Sequence, residues 1–479
     1  MVVSSVSAPR MAHAGNTRRS RAHQRRDSPA GFLAITLARR TDTPLDGTPH
    51  VAGQRDLGAS ARPEPSAANI GGLVCKIQGT RVMLTGAYTR LVLRTLVLQM
   101  RPRPLNRMGS FTSAPKILNQ DLQDSEVHFP ERLSRDQLLE RCRREQRHLP
   151  VKRAFRPCAS GAASRGLQDG VRLLRWNVVS KRCGEAAASP HHIRVLQWNV
   201  LSQALGEMND NFACCPDEAL QWSARRYQIV EEIIEYCPDI ICLQEVDHFK
   251  FLSGALATQG YTGMFFPKPD SPCLYIQGNN GPDGCAIFYR TDKFDLLNSE
   301  SRVLEVWSVQ SNQVALLVNL RIKETGREVC VATTHLKARN GALLSTLREE
   351  QGKDLLRFVE ERRQDRPLVL CGDFNAEPIE PVYKSIMTHS SGLGSAYANA
   401  HGGQEPPYTT WKVRESEGEV CHTIDYVFFS QREFAVDAVL DFPTGEEIGL
   451  GRIPSFIYPS DHFSLVCDLS FREQRGMSL

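Results

Sequence analysis

The sequence predicts an α/β fold: a four-layer α/β sandwich with two packed mixed β-sheets flanked by helices. Three observations predict it. Strand-like apolar runs outnumber helical ones between residues 191 and 475, several are joined by turns, and two helical stretches carry an apolar face. Polar groups also recur where strands end: Asn199 after RVLQW, Glu245 after IICLQ, His335 after VATT, and Asp373 and Asn375 in GDFN. Five such ends, counting Asp461-His462, point to one shared cleft above the sheets. Their chemistry suits a divalent cation, an activated water and a phosphate.

Each element has a local signal. Residues 134–147 begin with Ser134 as an N-cap and read as a short polar helix. The run IRVLQWNVLS (193–202) is the first strand of the domain. VRLLRWNVVS (171–180) nearly repeats it, but only the second copy continues into the domain, so Asn177 is given no role. Leu220, Tyr227, Val230, Ile233 and Ile234 share a helical face that Pro238 ends. Strands are expected at 240–243, 284–290, 313–322 and 328–336. A long helix at 342–363 follows, then strands at 367–373, 423–430 and 463–471.

Charge divides the chain. Residues 1–107 hold 17 Lys+Arg against 5 Asp+Glu, while residues 191–479 hold 26 against 40, a net −14. Residues 1–190 are expected to be a basic, largely disordered leader with one short helix, and 191–475 the catalytic domain. The first 26 residues contain six arginines and no acid, which suits a mitochondrial transit peptide as well as an ordinary basic tail. MGSFTS at Met108 fits a myristoylation pattern that acts only with Gly109 at the N-terminus. The expected location is mitochondrion and cytoplasm. No run is long and apolar enough for a transmembrane helix. The 14 cysteines form no CxxC pair, and Cys242, Cys285, Cys330, Cys371 and Cys467 lie in strand-like runs as reduced core thiols.

Glu245 is the expected ligand of a hard cation such as Mg²⁺, which keeps most of its waters and needs few carboxylates. Taken alone it would read as a strand-end carboxylate capping a helix. Asp373 can accept a proton from water and Asn375 can donate to water or phosphate, although a lone D-x-N is also an Asx turn. His462 can activate water or bind phosphate, with Asp425 or Asp461 behind it, and His335 can donate to a phosphoryl oxygen. Lys268, Lys337, Arg339 and Arg414 are isolated cations. Near a cleft they could grip the phosphates of a small polyanion.

Taken in order, WN, QE, THL, GDFN and SDH resemble the endonuclease/exonuclease/phosphatase superfamily over roughly the last three-fifths of the chain. QWNVLSQALG, LQEVDH, FFPKPDSPC, NNGPDGCA, THLKAR, EPPYTTWK and YPSDHFSLVCD place the resemblance in one branch of it. The resemblance implies the four-layer sandwich, one catalytic Mg²⁺ at Glu245 and attack of water on phosphorus. It implies a catalytic cleft of Asn199, Glu245, His335, Asp373, Asn375, Asp425 and His462. Lys268, Asn312, His335, Leu336, Lys337 and Arg339 match its substrate pocket, beside Arg414, Asp373, Asn375 and His462. The activity implied is removal of the 2′-phosphate from NADP⁺ and NADPH by a monomeric domain with weak or absent nucleic-acid binding. The alternatives are a poly(A)-specific 3′-exoribonuclease on the same fold and a non-catalytic scaffold.

Overall fold

The computed structural model describes residues 73–77, 80–84, 127–158, 190–208 and 210–472. The chain separates into two units, residues 1–113 and 114–479. In the first, β1 (Leu73–Ile77) and β2 (Thr80–Leu84) pair antiparallel with Leu73 opposite Leu84. The leader, expected to be largely disordered with one short helix, also holds this hairpin. The transit-peptide segment, Gly109 and the 171–180 repeat lie outside the described residues.

The second unit is built on two sheets. One has seven strands in the order β3 (Phe155–Pro157), β16 (Phe434–Leu440), β17 (Leu465–Phe471), β4 (His192–Asn199), β5 (Ile240–Val246), β7 (Gly284–Arg290) and β6 (Tyr261–Pro267). The other has six: β12 (Leu393–Ser395), β15 (Asp425–Ser430), β11 (Leu368–Asp373), β10 (Glu328–His335), β9 (Val309–Ile322) and β8 (Phe294–Val306). A separate hairpin joins β13 (Thr410–Arg414) to β14 (Gly418–His422). Both sheets are mixed: β4 with β5 and β10 with β11 run parallel, the other neighbours antiparallel.

Side-chain alternation turns these sheets into four layers. Val195, Ile240, Cys242 and Ile287 face Val318, Val331, Val369 and Val427 in the central core between the sheets. The opposite face of the seven-stranded sheet, with Leu196 and Trp198, packs on the helices Trp222–Tyr236 and Phe249–Ala257. The opposite face of the six-stranded sheet, with Leu370 and Phe428, packs on Ala342–Arg363 and Pro381–Met387. Each sheet buries both faces, which is why its strands read as unbroken apolar runs.

The expected helices form where predicted. Ser134 caps Arg135–Glu145 in a full capping box with Gln137, and the long helix spans Ala342–Arg363. The expected domain start at 191, however, falls too late. Leu138, Leu139 and Cys142 sit in the core against Trp222–Tyr236, and β3 pairs with β16 as the outermost strand of the seven-stranded sheet. A three-residue strand ending in proline carries no periodicity, so the sequence hides it. The polar edge strand β8, and β6 and β16, carry no clear signal for a related reason: partial exposure dilutes their apolar pattern. The five strand cysteines are free and buried. Cys237, in contrast, is disulfide-bonded.

Gly284 opens β7 where β6 ends. A Cβ there would lie 2.3 Å from the Phe266 carbonyl oxygen and 2.7 Å from the Pro267 Cα. Backbone cannot yield as a side-chain tip can. Gly284→Ala should therefore cost about 1–3 kcal/mol, as overpacking does, measured as a lower urea midpoint at constant m. An unchanged midpoint would show that β6 tolerates displacement.

Candidate active site

The strand ends converge where the two sheets meet. Asn199 ends β4 in one sheet and Asp373 ends β11 in the other. The Asn199 Nδ2 donates to Asp373 Oδ2 at 2.9 Å and to Glu245 Oε1 at 3.0 Å. Glu245 sits in β5 at a bulge, with φ at +55°, a backbone state that non-glycine residues rarely adopt. The bend turns its half-buried carboxylate over the strand end, where Ser202 N also donates to Oε2 at 3.1 Å. Asn375 also has positive φ, +49°. Its side-chain amide donates to the Leu336 carbonyl at 3.1 Å, and its N–H to Asp373 Oδ1 at 2.9 Å.

His462 is the second focus. Its Nδ1 lies 2.8 Å from Asp425 Oδ2, and Thr409 Oγ1 donates to the same oxygen at 2.7 Å. This settles which acid stands behind the imidazole: Asp425. Asp461 lies on the other side, its Oδ2 3.7 Å from Nε2, and accepts from Lys412 Nζ at 2.5 Å. His462 precedes β17 by three residues instead of opening it; it is held by an isolated bridge to Thr410. Asp373 Oδ2 lies 3.8 Å from His462 Nε2 and 3.6 Å from His335 Nε2. Asp373, Asp425 and His462 form a buried group whose ligand atoms all lie within 4.8 Å, close enough to hold a metal ion.

Burial and charge set the protonation states. Burial first, then the like charge of Asp425, pushes the Asp373 carboxyl up to about 7. Burial would depress His462, but Asp425, Asp461 and Asp373 outweigh it and hold the imidazole at about 9. His335 goes the opposite way. Burial, with Lys268 and His462 beside it, holds it well below the ordinary histidine value, so it is neutral. Lys268 Nζ lies 3.3 Å from His335 Nδ1. An ammonium can only donate, so Nδ1 accepts and the ring proton is assigned to Nε2.

The cations separate into two kinds. Lys268 is buried and donates to Asp283 Oδ2 at 2.6 Å. Lys337 and Arg339 leave β10 along a loop whose carbonyls accept from Arg348 Nη1 at 3.0 and 2.7 Å. Lys337 has no acidic partner among the described residues. Burial lowers its ammonium, and Lys268 and Arg339 lower it further. Lys268 thus lies against His335, and Lys337 follows on the loop, close enough to both Lys268 and Arg339 to feel their charge.

Three expected pocket residues stand differently. Leu336 turns its fully buried side chain into the outer core, leaving only its backbone at the site. Asn312 clasps the Asp270 main chain at both its N–H and its carbonyl, fixing the loop that carries Lys268. Arg414 is committed to Asp210 at 3.2 Å and lies 3.9 Å from Asp461. Lys412, Thr409 and Asp283 join the site beyond the residues expected from the sequence. For Lys412 a signal existed: period two on β13 puts Thr410, Lys412 and Arg414 on one face. Asp283, in NNGPDG, had none.

The Endonuclease/Exonuclease/phosphatase family matches residues 196–462, a span that contains every one of these groups. The chain belongs to that family. It is 55% identical to Nocturnin of Drosophila melanogaster over 391 residues, covering 76% of this chain and 60% of that protein. Against Nocturnin of Rattus norvegicus it is 51% identical over 394 residues, 78% of this chain and 86% of the relative. Among solved structures, the human Nocturnin catalytic domain aligns with a TM-score of 0.51 and 46% identity, covering 60% of this chain and 95% of that one. The chain is a nocturnin-like hydrolase of this family.

The dyad gives a pH test. A reaction that uses cationic His462 should show an alkaline limb as the imidazole loses its proton, and among the neighbouring charges Asp425 contributes most to delaying that loss. Asp425→Asn should move that limb to lower pH, by about 1–3 pH units for a lost adjacent charge. A limb that stays in place would assign it to another group.

Proposed function

We propose that the chain is a Mg²⁺-dependent phosphatase that removes the 2′-phosphate from NADP⁺ and NADPH, giving NAD⁺ or NADH and inorganic phosphate. The observation that carries this reading is the cationic corner made by Lys268, Lys337 and Arg339 beside His335, two of whose three charges lack an acidic partner among the described residues. That corner suits a compact polyanion. A domain of net −14 offers no continuous basic track for a strand. The human Nocturnin catalytic domain, solved with a bound sulfate anion, supports an anion site on this fold.

The half-buried Glu245 carboxylate offers the hard oxygen donor that a divalent ion keeping most of its waters needs. The set at Asp373, Asp425 and His462, with ligand atoms within 4.8 Å, is a second place for an ion, although His462 Nδ1 there is engaged with Asp425. Glu245 would hold Mg²⁺, and the bound ion would polarise a phosphoryl oxygen and offset its charge. The rest is done by side chains. Asp373 accepts the proton of the attacking water, its orientation fixed by Asn199 and the Asn375 N–H. Cationic His462, held by Asp425, and neutral His335, through Nε2–H, donate to the phosphoryl oxygens. The water oxygen bonds to phosphorus as the bond from phosphorus to the ribose 2′-oxygen breaks; that oxygen takes a proton from cationic His462 and becomes a hydroxyl, inorganic phosphate leaves, and solvent returns the proton from Asp373 to His462.

A second reading has one observation behind it. The Ccr4 3′-5′-exoribonuclease subunit of Yarrowia lipolytica is 30% identical over 322 residues, 54% of this chain and 45% of that protein. Free phosphate from NADPH, measured beside shortening of an A-tract RNA, separates the two. The phosphatase yields phosphate and NADH with the pyrophosphate intact. Shortened RNA with no phosphate from NADPH would transfer the assignment to the exonuclease.

Two substitutions refine the roles. Asp373→Asn keeps size and loses the acceptor charge, so kcat should fall by about 10²-fold or more with little change in KM; a change in KM alone would restrict Asp373 to binding. Arg339→Gln should raise KM for NADPH by the equivalent of about 1–3 kcal/mol. Lys268 is a poorer probe, because its removal strands the buried Asp283.

A further inference from the structure

The segment Tyr458–Ser464 carries Asp461 and His462, and the fold grips it along its length. Arg225 Nη1 donates to the Pro459 carbonyl, Ser460 Oγ donates to the Asn199 carbonyl, and Trp198 Nε1 donates to the His462 carbonyl. One grip comes from outside the residues that the family matches. Arg153 belongs to the arm before β3 and is buried to zero side-chain exposure. Its Nη1 donates to Ser464 Oγ at 2.7 Å and to Glu232 Oε1 at 3.2 Å. Its Nε donates to the Asp441 carbonyl at 2.8 Å.

Glu232 Oε1 is the hub of this network. It also accepts from Ser464 Oγ at 2.7 Å and from Tyr458 Oη at 3.2 Å, and Ser464 N donates to that same hydroxyl at 2.9 Å. Both ends of the histidine-bearing segment are therefore tied to one buried ion pair. The arm itself is zipped in place: Val151 N donates to the Ile457 carbonyl, just before the segment, and Asp441 N to the Ala154 carbonyl. Phe442 and Phe463 flank the guanidinium, with ring centroids 5.3 and 5.9 Å away. A buried ion pair often contributes little net stability compared with an apolar pair of the same size. Its value here lies in direction: it fixes where Ser464, two residues after His462, can sit.

We propose that Arg153 is a positioning residue for His462: through Glu232, Ser464 and Tyr458, the N-terminal arm holds the imidazole at its working distance from Asp425 and Asp373. The proposal rests on the phosphatase reading only for the choice of assay substrate. Arg153 touches no reacting atom, so its loss should lower turnover and leave binding by Lys337 and Arg339 unchanged.

The test is the full chain carrying Arg153→Met together with Glu232→Gln, so that no single charge is left stranded in the interior. Phosphate release from NADPH and cleavage of A-tract RNA are both followed. On whichever substrate the wild type hydrolyses, kcat should fall by about tenfold or more, with KM within about twofold and thermal unfolding still cooperative. Arg156→Ala, which breaks the half-exposed pair of β3 with Asp441, should leave kcat unchanged. A substrate-independent measurement accompanies these: the NMR resonance of the His462 Nδ1 proton, shared with Asp425. It should be protected in the wild type and exchange-broadened in the double variant. Hydrolysis of RNA alone by the wild type would sink the NADPH assignment and leave the positioning test intact. A double variant with wild-type kcat and an unchanged Nδ1 resonance overturns the proposal. So does a loss of rate that merely follows the unfolded fraction.

Discussion

One side-chain amide joins the two halves of the site. Asn199 belongs to the seven-stranded sheet, and its Nδ2 reaches Glu245 in the same sheet and Asp373 in the other. The group suited to a cation and the group suited to a water are thereby set at a fixed separation. Beneath that amide lies a polar tier in an otherwise apolar interface. Gln197 and Gln244 exchange hydrogen bonds at 2.8 and 2.7 Å, and Gln244 continues to Thr333 at 2.8 Å. Unpaired amides would be costly there, so only one register of the two sheets satisfies them all. Sheet packing and site geometry are one constraint.

The site combines opposite charges without cancelling them. Asp425 and Asp461 face His462 from two sides, while burial, then Lys268, keeps His335 neutral. Two histidines with their ring nitrogens close to one carboxylate thus differ in protonation near neutral pH. The difference comes from their neighbours, since both are buried.

Much of this was legible in the sequence because strand ends are local. A polar residue that stops an apolar run points to a sheet rim whatever the rest of the chain does, and Asn199, His335 and Asp373 lie at such ends. What could not be read was pairing across distance. Asp425 and Asp461 were equal candidates to support His462, because adjacency in sequence does not say which side of the ring a carboxylate takes. Arg414 looked like a free cation until the fold brought Asp210 to it, and Leu336 looked like pocket because it lies between His335 and Lys337. The exit of a strand turns such neighbours apart. The arm was invisible for want of length: β3 offers three residues, and a period of two needs more.

That short strand has a consequence for how molecules meet. Without β3, β16 would be the outermost of the six remaining strands, presenting a row of amide and carbonyl groups able to template a strand from a second molecule. With β3 in place the exposed border is three residues long and ends at Pro157, which has no amide hydrogen to offer. The arm therefore also insulates the sheet against self-association. Cutting the chain just before the family-matched region would remove that insulation and make the protein prone to aggregate.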